Sequence, residues 1–289
     1  MTLALTLVQI FFGLHYVAAK LLLEHIPPRA WAAVRVTAAA LVLLAAARVL
    51  RRPLPRWPGD LGRIALYSIF GVVVNQVCFV EGLSRTTPTH SALVNTTIPV
   101  GTLLVAVFLG RERLDRSKLV SLAVSLAGVL LVILPTASGS AGGTLAGDVL
   151  TLVNALSYSL FLVISKPILA RTDPLGATAA LMGFGALGVL AVGGPSLARF
   201  DLSSLPPEAW ALAAFIVVFA TAGAYLLNYW ALARADSSLV ALFIYLQPMV
   251  AVTLSAFATG DLPEARELLG GALIFAGVYL AVPRLRRLP

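Results

Sequence analysis

Read as apolar and polar positions, the chain is a series of long hydrophobic runs separated by short breaks of proline, glycine and charge. Runs such as Ala30 to Ala47, Val94 to Leu109 and Leu119 to Leu134 approach the roughly 20 residues that cross a bilayer as a helix. Dividing the chain at its proline, glycine and charge clusters predicts about ten helices. They fall over residues 2–23, 29–50, 62–83, 88–110, 115–134, 147–169, 174–193, 208–232, 237–258 and 266–283. A soluble helical protein would cover such runs with amphipathic neighbours carrying one polar face each, and the sequence offers no such set. The pattern predicts an all-α integral membrane protein. The stretch "PTASGSAGGTLAGD", uncharged until Asp148, has the composition of a flexible connection. It is expected to join a first unit, residues 1–135, through a linker, 136–146, to a second, 147–289.

Composition agrees: 59% of the 289 residues are hydrophobic and 12% charged, against roughly a quarter charged in soluble domains, and the mean hydropathy is +0.93. A net charge of +8 would suggest nucleic acid in a soluble protein, but here its placement gives it another meaning. With the N-terminus inside, the inner connections hold 15 of the Lys and Arg residues and the outer ones hold four, Arg29, Arg85, Arg199 and Arg266. Cytoplasmic loops are the ones enriched in Lys and Arg, so both termini are expected in the cytoplasm, with the chain in the inner (plasma) membrane. The surplus then serves topology and attraction to anionic lipid, and nucleic acid is not an expected partner. The opening "MTLALTLVQIFFGLHYVAAK" has no basic leader or clear cleavage site and is read as a retained spanning helix. The single cysteine, Cys78, excludes a disulfide framework and a Cys-rich metal site.

The two halves echo each other. Shifting the chain by 149 aligns residues 75–133 with 224–282 without a gap and gives 12 identities in 59 positions, among them Arg85 with Arg234, Pro99 with Pro248 and Gly128 with Gly277. The first helices match at an offset of 146, which pairs Lys20 with Lys166 and Pro28 with Pro174. Five helices per copy is an odd number, so the second copy must insert upside down. Such inverted repeats place a substrate site near the midplane, able to open to either side in turn.

"FFGLHYVAAK", residues 11–20, resembles the opening of the drug/metabolite transporter superfamily, in the branch built from two EamA-type five-helix repeats. "ALVNTTIPVGTLLVAVFLGRERL", residues 92–114, is similar to that branch's fourth helix, and "AGVLLVI" (127–133) and "AGVYLAV" (276–282) to its fifth and tenth. The resemblance implies a ten-helix carrier of small metabolites, often an amino-acid exporter, with no ATPase of its own. Two departures stand out: Phe12 occupies the place of the family's usual Trp, and "TGDLPEAR", residues 259–266, replaces the basic "GRERLDRSK" of the first repeat. Inversion requires the second change, since that loop then lies outside.

Polar side chains inside a membrane need a partner, a water-filled cavity or an escape to the interface. The candidate cavity residues are His15, Tyr16, Arg35, Asn75, Gln76, Ser91, Asn95, Tyr158, Tyr225, Asn228, Tyr229, Trp230, Tyr245 and Gln247. Gln9, Asn154 and Ser157 are further polar positions on the first and sixth helices. Ser91, Asn95 and Pro99, four residues apart, share a helix face. For the amides the competing reading is interhelical hydrogen bonding. Arg35 is expected to pair with Glu24 or Glu81 or to hold a substrate carboxylate, and Glu81 to pair with Arg85 or Arg35. Lys20 and Lys166 are expected to snorkel, and Trp31, Trp57 and Trp210 to anchor at the interface. Pro99 and Pro248 remove matched helix hydrogen bonds and are hinge candidates, against the plainer reading of static kinks.

No helix carries a carboxylate near its centre, which argues against exchange of organic cations for protons. Nor does the chain hold a phosphate loop, a zinc-protease motif or a nucleophile elbow, so no catalytic residue, metal or cofactor is expected. The expected function is secondary transport by alternating access, most simply export or uniport of amino acids, aromatic or other hydrophobic ones first. Other neutral metabolites or drugs are the alternative substrates, and an intramembrane enzyme or structural membrane protein the contrasting classes. The expected partners are a small-molecule substrate and the lipid bilayer, with the chain a monomer or homodimer.

Overall fold

The computed structural model describes residues 1–56, 58–111, 116–133, 144–235, 237–258 and 263–285, so most of the expected linker and Trp57 lie outside the described residues. Helices account for the described elements, with no strand among them. Seven rods are long and apolar enough to cross a membrane: α1 (Thr2–Leu22), α2 (Pro28–Val49), α3 (Gly59–Ser84), α4 (Pro88–Phe108), α6 (Leu145–Leu169), α7 (Pro174–Leu197) and α8 (Pro207–Leu232). The remaining rods are α5 (Arg116–Ile133), α9 (Ser237–Leu242 continuing as Phe243–Ala258) and α10 (Ala265–Leu285).

Local chemistry sets the ends. Thr87, Thr144 and Asp173 accept backbone N–H bonds from His90, Gly147 and Gly176 at 3.1, 3.1 and 2.9 Å, capping α4, α6 and α7. Pro28, Pro88, Pro174 and Pro207 occupy first-turn positions, where their missing N–H costs nothing. The Lys20 ammonium donates to the carbonyls of Leu83, Ser84 and Thr86 at 3.0, 3.4 and 2.7 Å. It thus satisfies the C-terminal end of α3, whose orphan carbonyls attract a cation.

α7 runs to Leu197, four residues beyond the expected end, straight through Pro195. A proline removes only its own N–H bond and crowds the carbonyl four residues back. Packing supplies the rest: a Cβ on Gly193 would collide with the Arg29 carbonyl of α2, and α2 and α7 are the most extensively packed pair of helices. Trp31 differs from expectation too. It is 1% exposed, because the first turn of α2 is enclosed, with Ala30, Ala32 and Ala33 also buried. Trp210, at 46% exposure, lies at the surface as an interface anchor would.

The halves interlock. α1 packs on α8 and α9, and α6 packs on α3 and α4, while α2 pairs with α7 and α5 with α10. Both crossings depend on a missing side chain: a Cβ on Gly13 would lie 2.5 Å from Val250 Cβ, and a Cβ on Gly101 2.6 Å from Ser159 Oγ. Small residues allow this closeness between membrane helices.

Two helices also widen at matched places. Residues Ile69–Val74 of α3 and Ile216–Gly223 of α8 are π-helical turns, and the offset of 149 carries one onto the other. α4 breaks at Thr96–Thr97, between Pro88–Asn95 and Ile98–Phe108. α9 breaks through a 3-10 turn at Phe243–Tyr245. Each break sits just before its proline, Pro99 or Pro248.

The crossing predicts an outcome. Gly101→Val should force α4 from α6 and lower stability by about 1–3 kcal/mol, whereas Gly183→Val, whose nearest neighbour would be Leu44 at 3.8 Å, should be close to neutral. Thermal unfolding in detergent tests this, and equal melting temperatures for the two variants would refute the close-packing account.

Candidate functional site

One cavity lies between the helices that carry the π turns and the breaks. α1 contributes Phe12, His15 and Tyr16 to its wall, α2 Arg35, α3 Asn75, Gln76 and Phe79, and α4 Asn95 and Ile98. α6 adds Asn154 and Tyr158, α8 adds Tyr225, and α9 adds Gln247. Its volume is ≈ 60 Å³, room for a few waters and far below the roughly 300 to 1,000 Å³ of ordinary ligand pockets. A metabolite therefore enters only if the walls part.

Hydrogen bonds organise the wall into two networks. On one side the Tyr16 hydroxyl donates to Gln247 Oε1 at 3.1 Å, and Gln247 Nε2 donates to Gln9 Oε1 at 2.5 Å, tying α1 to the break in α9. On the other, Tyr225 donates to Asn75 Oδ1 at 3.0 Å and accepts from Gln76 Nε2, which also donates to Asn75 Oδ1 at 2.9 Å. Gln76 and Tyr225 occupy equivalent positions at the 149-residue offset, so each meets its own counterpart from the other half of the chain.

Side chains bond the backbone in and beside the π turns. Ser157 Oγ donates to the Phe70 carbonyl at 2.8 Å, Asn154 Nδ2 to the Asn75 carbonyl at 2.9 Å, and Thr221 Oγ1 to the Ile216 carbonyl at 2.8 Å. This is how membrane helices tolerate local π geometry. The amides and hydroxyls thus act partly as interhelical bonds and partly as cavity wall.

Arg35 is 1% exposed. Its Nε donates to Thr221 Oγ1 at 2.7 Å and its guanidinium carbon lies 6.0 Å from the Phe79 ring centroid. His15 stacks on the same Phe79 ring, at 5.0 Å between centroids. Arg35 meets neither Glu24 nor Glu81. Glu81 pairs instead with Arg29 and Arg85, both at 2.7 Å, because it sits a turn and a half past Gln76, at the rim. Among the described residues no Asp or Glu lines the cavity.

Nine of the fourteen candidate side chains meet at this wall, and five stand apart from it. Ser91 is buried one turn before Asn95. Asn228 lies behind Tyr158 and donates to its hydroxyl at 2.6 Å. Tyr229 packs against Tyr225 and Phe161, at 5.4 and 5.2 Å between centroids. Trp230 holds the Arg234 guanidinium 4.5 Å over its ring, and Tyr245 rests on Phe275 at 5.1 Å. The wall also includes Phe79 and Ile98, apolar residues that a search for polar groups passes over. Phe79 follows Gln76 by three residues and Ile98 precedes the matched proline, and those spacings were the available signals. Towards the rim, His90 Nδ1 lies 2.7 Å from Asp148 Oδ1, and His90 Nε2 3.9 Å from Glu267 Oε1, so this histidine bridges α4, α6 and α10.

Residues 1–134 and 145–282 each match the EamA-like transporter family. The chain belongs to that family. Among its relatives this EamA-like transporter is 25% identical over 274 residues to the uncharacterized transporter YetK of Bacillus subtilis (strain 168), covering 93% of this chain and 83% of that one. It is 30% identical over 249 residues to the probable terminal-alkyne amino-acid exporter of Streptantibioticus cattleyicolor, with 85% and 81% covered. A solved crystal structure superposes with a TM-score of 0.67 over 98% of both chains at 23% identity, a likeness of fold. The EamA-like transporter is accordingly a multi-pass membrane protein.

The Asn75, Gln76 and Tyr225 network predicts coupling. In a double-mutant cycle, Tyr225→Phe and Gln76→Leu should each destabilise the EamA-like transporter, and together by less than their sum, with a coupling of about 0.6–2 kcal/mol. Strict additivity in thermal unfolding would mean that the two side chains do not share one network.

Proposed function

We propose that this EamA-like transporter is a secondary carrier that exports or uniports amino acids, aromatic or other hydrophobic ones first, by alternating access about the central cavity. The observation that carries this reading is the wall itself. Five aromatic rings, Phe12, Tyr16, Phe79, Tyr158 and Tyr225, and the amides of Asn75, Gln76, Asn95, Asn154 and Gln247 surround a space without an acid. Such a lining suits a small amphiphile better than a phosphate or an organic cation. The relative named as an amino-acid exporter supports the same class. In this reading the two EamA matches are inverted five-helix units, both termini lie in the cytoplasm, and the membrane is the inner one. Movement of the units against each other parts the walls. Other neutral metabolites remain the alternative cargo. The polar groups of the wall are spread over seven helices, which favours transport over intramembrane catalysis.

Uptake of radiolabelled phenylalanine, threonine and unrelated solutes into proteoliposomes tests the cargo: saturable phenylalanine flux is expected, and no flux for any amino acid refutes this reading. An imposed pH gradient in the same assay reports proton coupling. The breaks at Pro99 and Pro248 are proposed to flex during the cycle. Replacing both prolines with Ala is expected to slow flux while leaving the protein folded, and unchanged flux would reduce them to static kinks.

A further inference from the structure

Arg35 is a cation deep in the bundle, and the protein gives it only part of what such a group requires. One of its nitrogens, Nε, is bonded to Thr221. Nη1 is buried without a hydrogen-bond partner. The elements packed around it offer His15 from α1, Phe79 from α3, and Thr221 and Tyr225 from α8, none of them an anion. If Arg35 served only to join α2 to α8, an uncharged side chain would do so at lower cost, since an uncompensated buried charge is among the most expensive features a protein can hold. The missing counter-charge belongs to something that enters the cavity.

A complementary vacancy faces it. Gln76 gives its amide N–H groups to Asn75 Oδ1 and Tyr225, and its Oε1 is buried without a partner. Asn95 Oδ1 is likewise unpartnered, its neighbour Tyr16 having given its one hydroxyl proton to Gln247. These are hydrogen-bond acceptors only, the counterpart of Arg35's donors. Thr221 holds Arg35 and Tyr225 holds Gln76. Arg35, Gln76 and Asn95 all line the one cavity, as a site for two opposite charges carried by one small molecule requires.

We propose that Arg35 binds the carboxylate of the substrate and that Gln76 Oε1, with Asn95 Oδ1, accepts from its α-ammonium group, so that the site selects zwitterionic α-amino acids by both charges. This rests on the amino-acid reading above and assigns the residues that enforce it. A guanidinium matches a carboxylate with two parallel N–H donors, whereas neutral amide oxygens satisfy an ammonium without the full negative charge that would draw in amines lacking a carboxylate.

Three solutes that share one ring separate the contributions: phenylalanine, phenethylamine without the carboxylate, and 3-phenylpropionate without the ammonium. Wild-type proteoliposomes should move phenylalanine, with phenethylamine and 3-phenylpropionate competing at least about tenfold more weakly. Arg35→Gln should lose phenylalanine flux by about a hundredfold while melting no lower than wild type, because it removes an unpaired charge, and Arg35→Lys should recover part of the flux. Gln76→Leu should narrow the gap between phenylalanine and 3-phenylpropionate. Phenylalanine flux in Arg35→Gln equal to wild type overturns the assignment and leaves the amino-acid reading intact. If wild type moves no amino acid, that reading fails, and thermal stabilisation of the purified protein by 3-phenylpropionate decides the anchor: stabilisation lost in Arg35→Gln upholds it, and no stabilisation overturns it.

Discussion

Hydrocarbon offers a peptide group nothing to bond to, so every backbone N–H and C=O in the spanning region must find its partner within the protein. Regular α-helix meets that demand by itself. This bundle departs from it in α3, α8, α4 and α9, and three of the displaced carbonyls, those of Phe70, Asn75 and Ile216, are met by side chains of Ser157, Asn154 and Thr221. The cavity lies beside these departures: Asn95 and Ile98 flank the break in α4, and Asn75, Gln76 and Tyr225 follow the π turns of α3 and α8.

The rods, their number and the matched prolines were legible because they rest on hydropathy and on residues with fixed backbone consequences. Pro99 and Pro248 announce where α4 and α9 break. The π turns were not legible. "IFGVVV" and "IVVFATAG" contain no proline and read as ordinary apolar helix, since the insertion of one extra residue per turn is decided by packing against neighbours far along the chain. The contact between Gln76 and Tyr225 has only a faint trace in the sequence, an alignment column that puts one over the other.

Among candidate residues, the test that a buried polar group must have a function found the wall but could not tell its layers apart. Asn154 and Asn228 are both amides deep in helices, yet one lines the cavity and the other stands behind Tyr158. One side chain, Tyr158, stands between Asn228 and the cavity, and sequence periodicity does not show which amide has such a neighbour in front of it. Charged residues at the rim sorted themselves by a simpler rule. Glu81, Arg29 and Arg85 satisfy one another, so only Arg35 reaches the interior without a counter-charge among the described residues.

At the two crossings, Gly13 faces Val250 and Ser159 faces Gly101. Gly13 and Ser159 are counterparts between the halves, as are Gly101 and Val250, so neither column of the alignment is conserved. What is preserved is the contact, one small partner in each pair, with the glycine on opposite sides. The two halves can thus differ letter by letter while each seam keeps one glycine. A likeness of this kind is recorded in pairs of positions, and a count of identities reads it as noise.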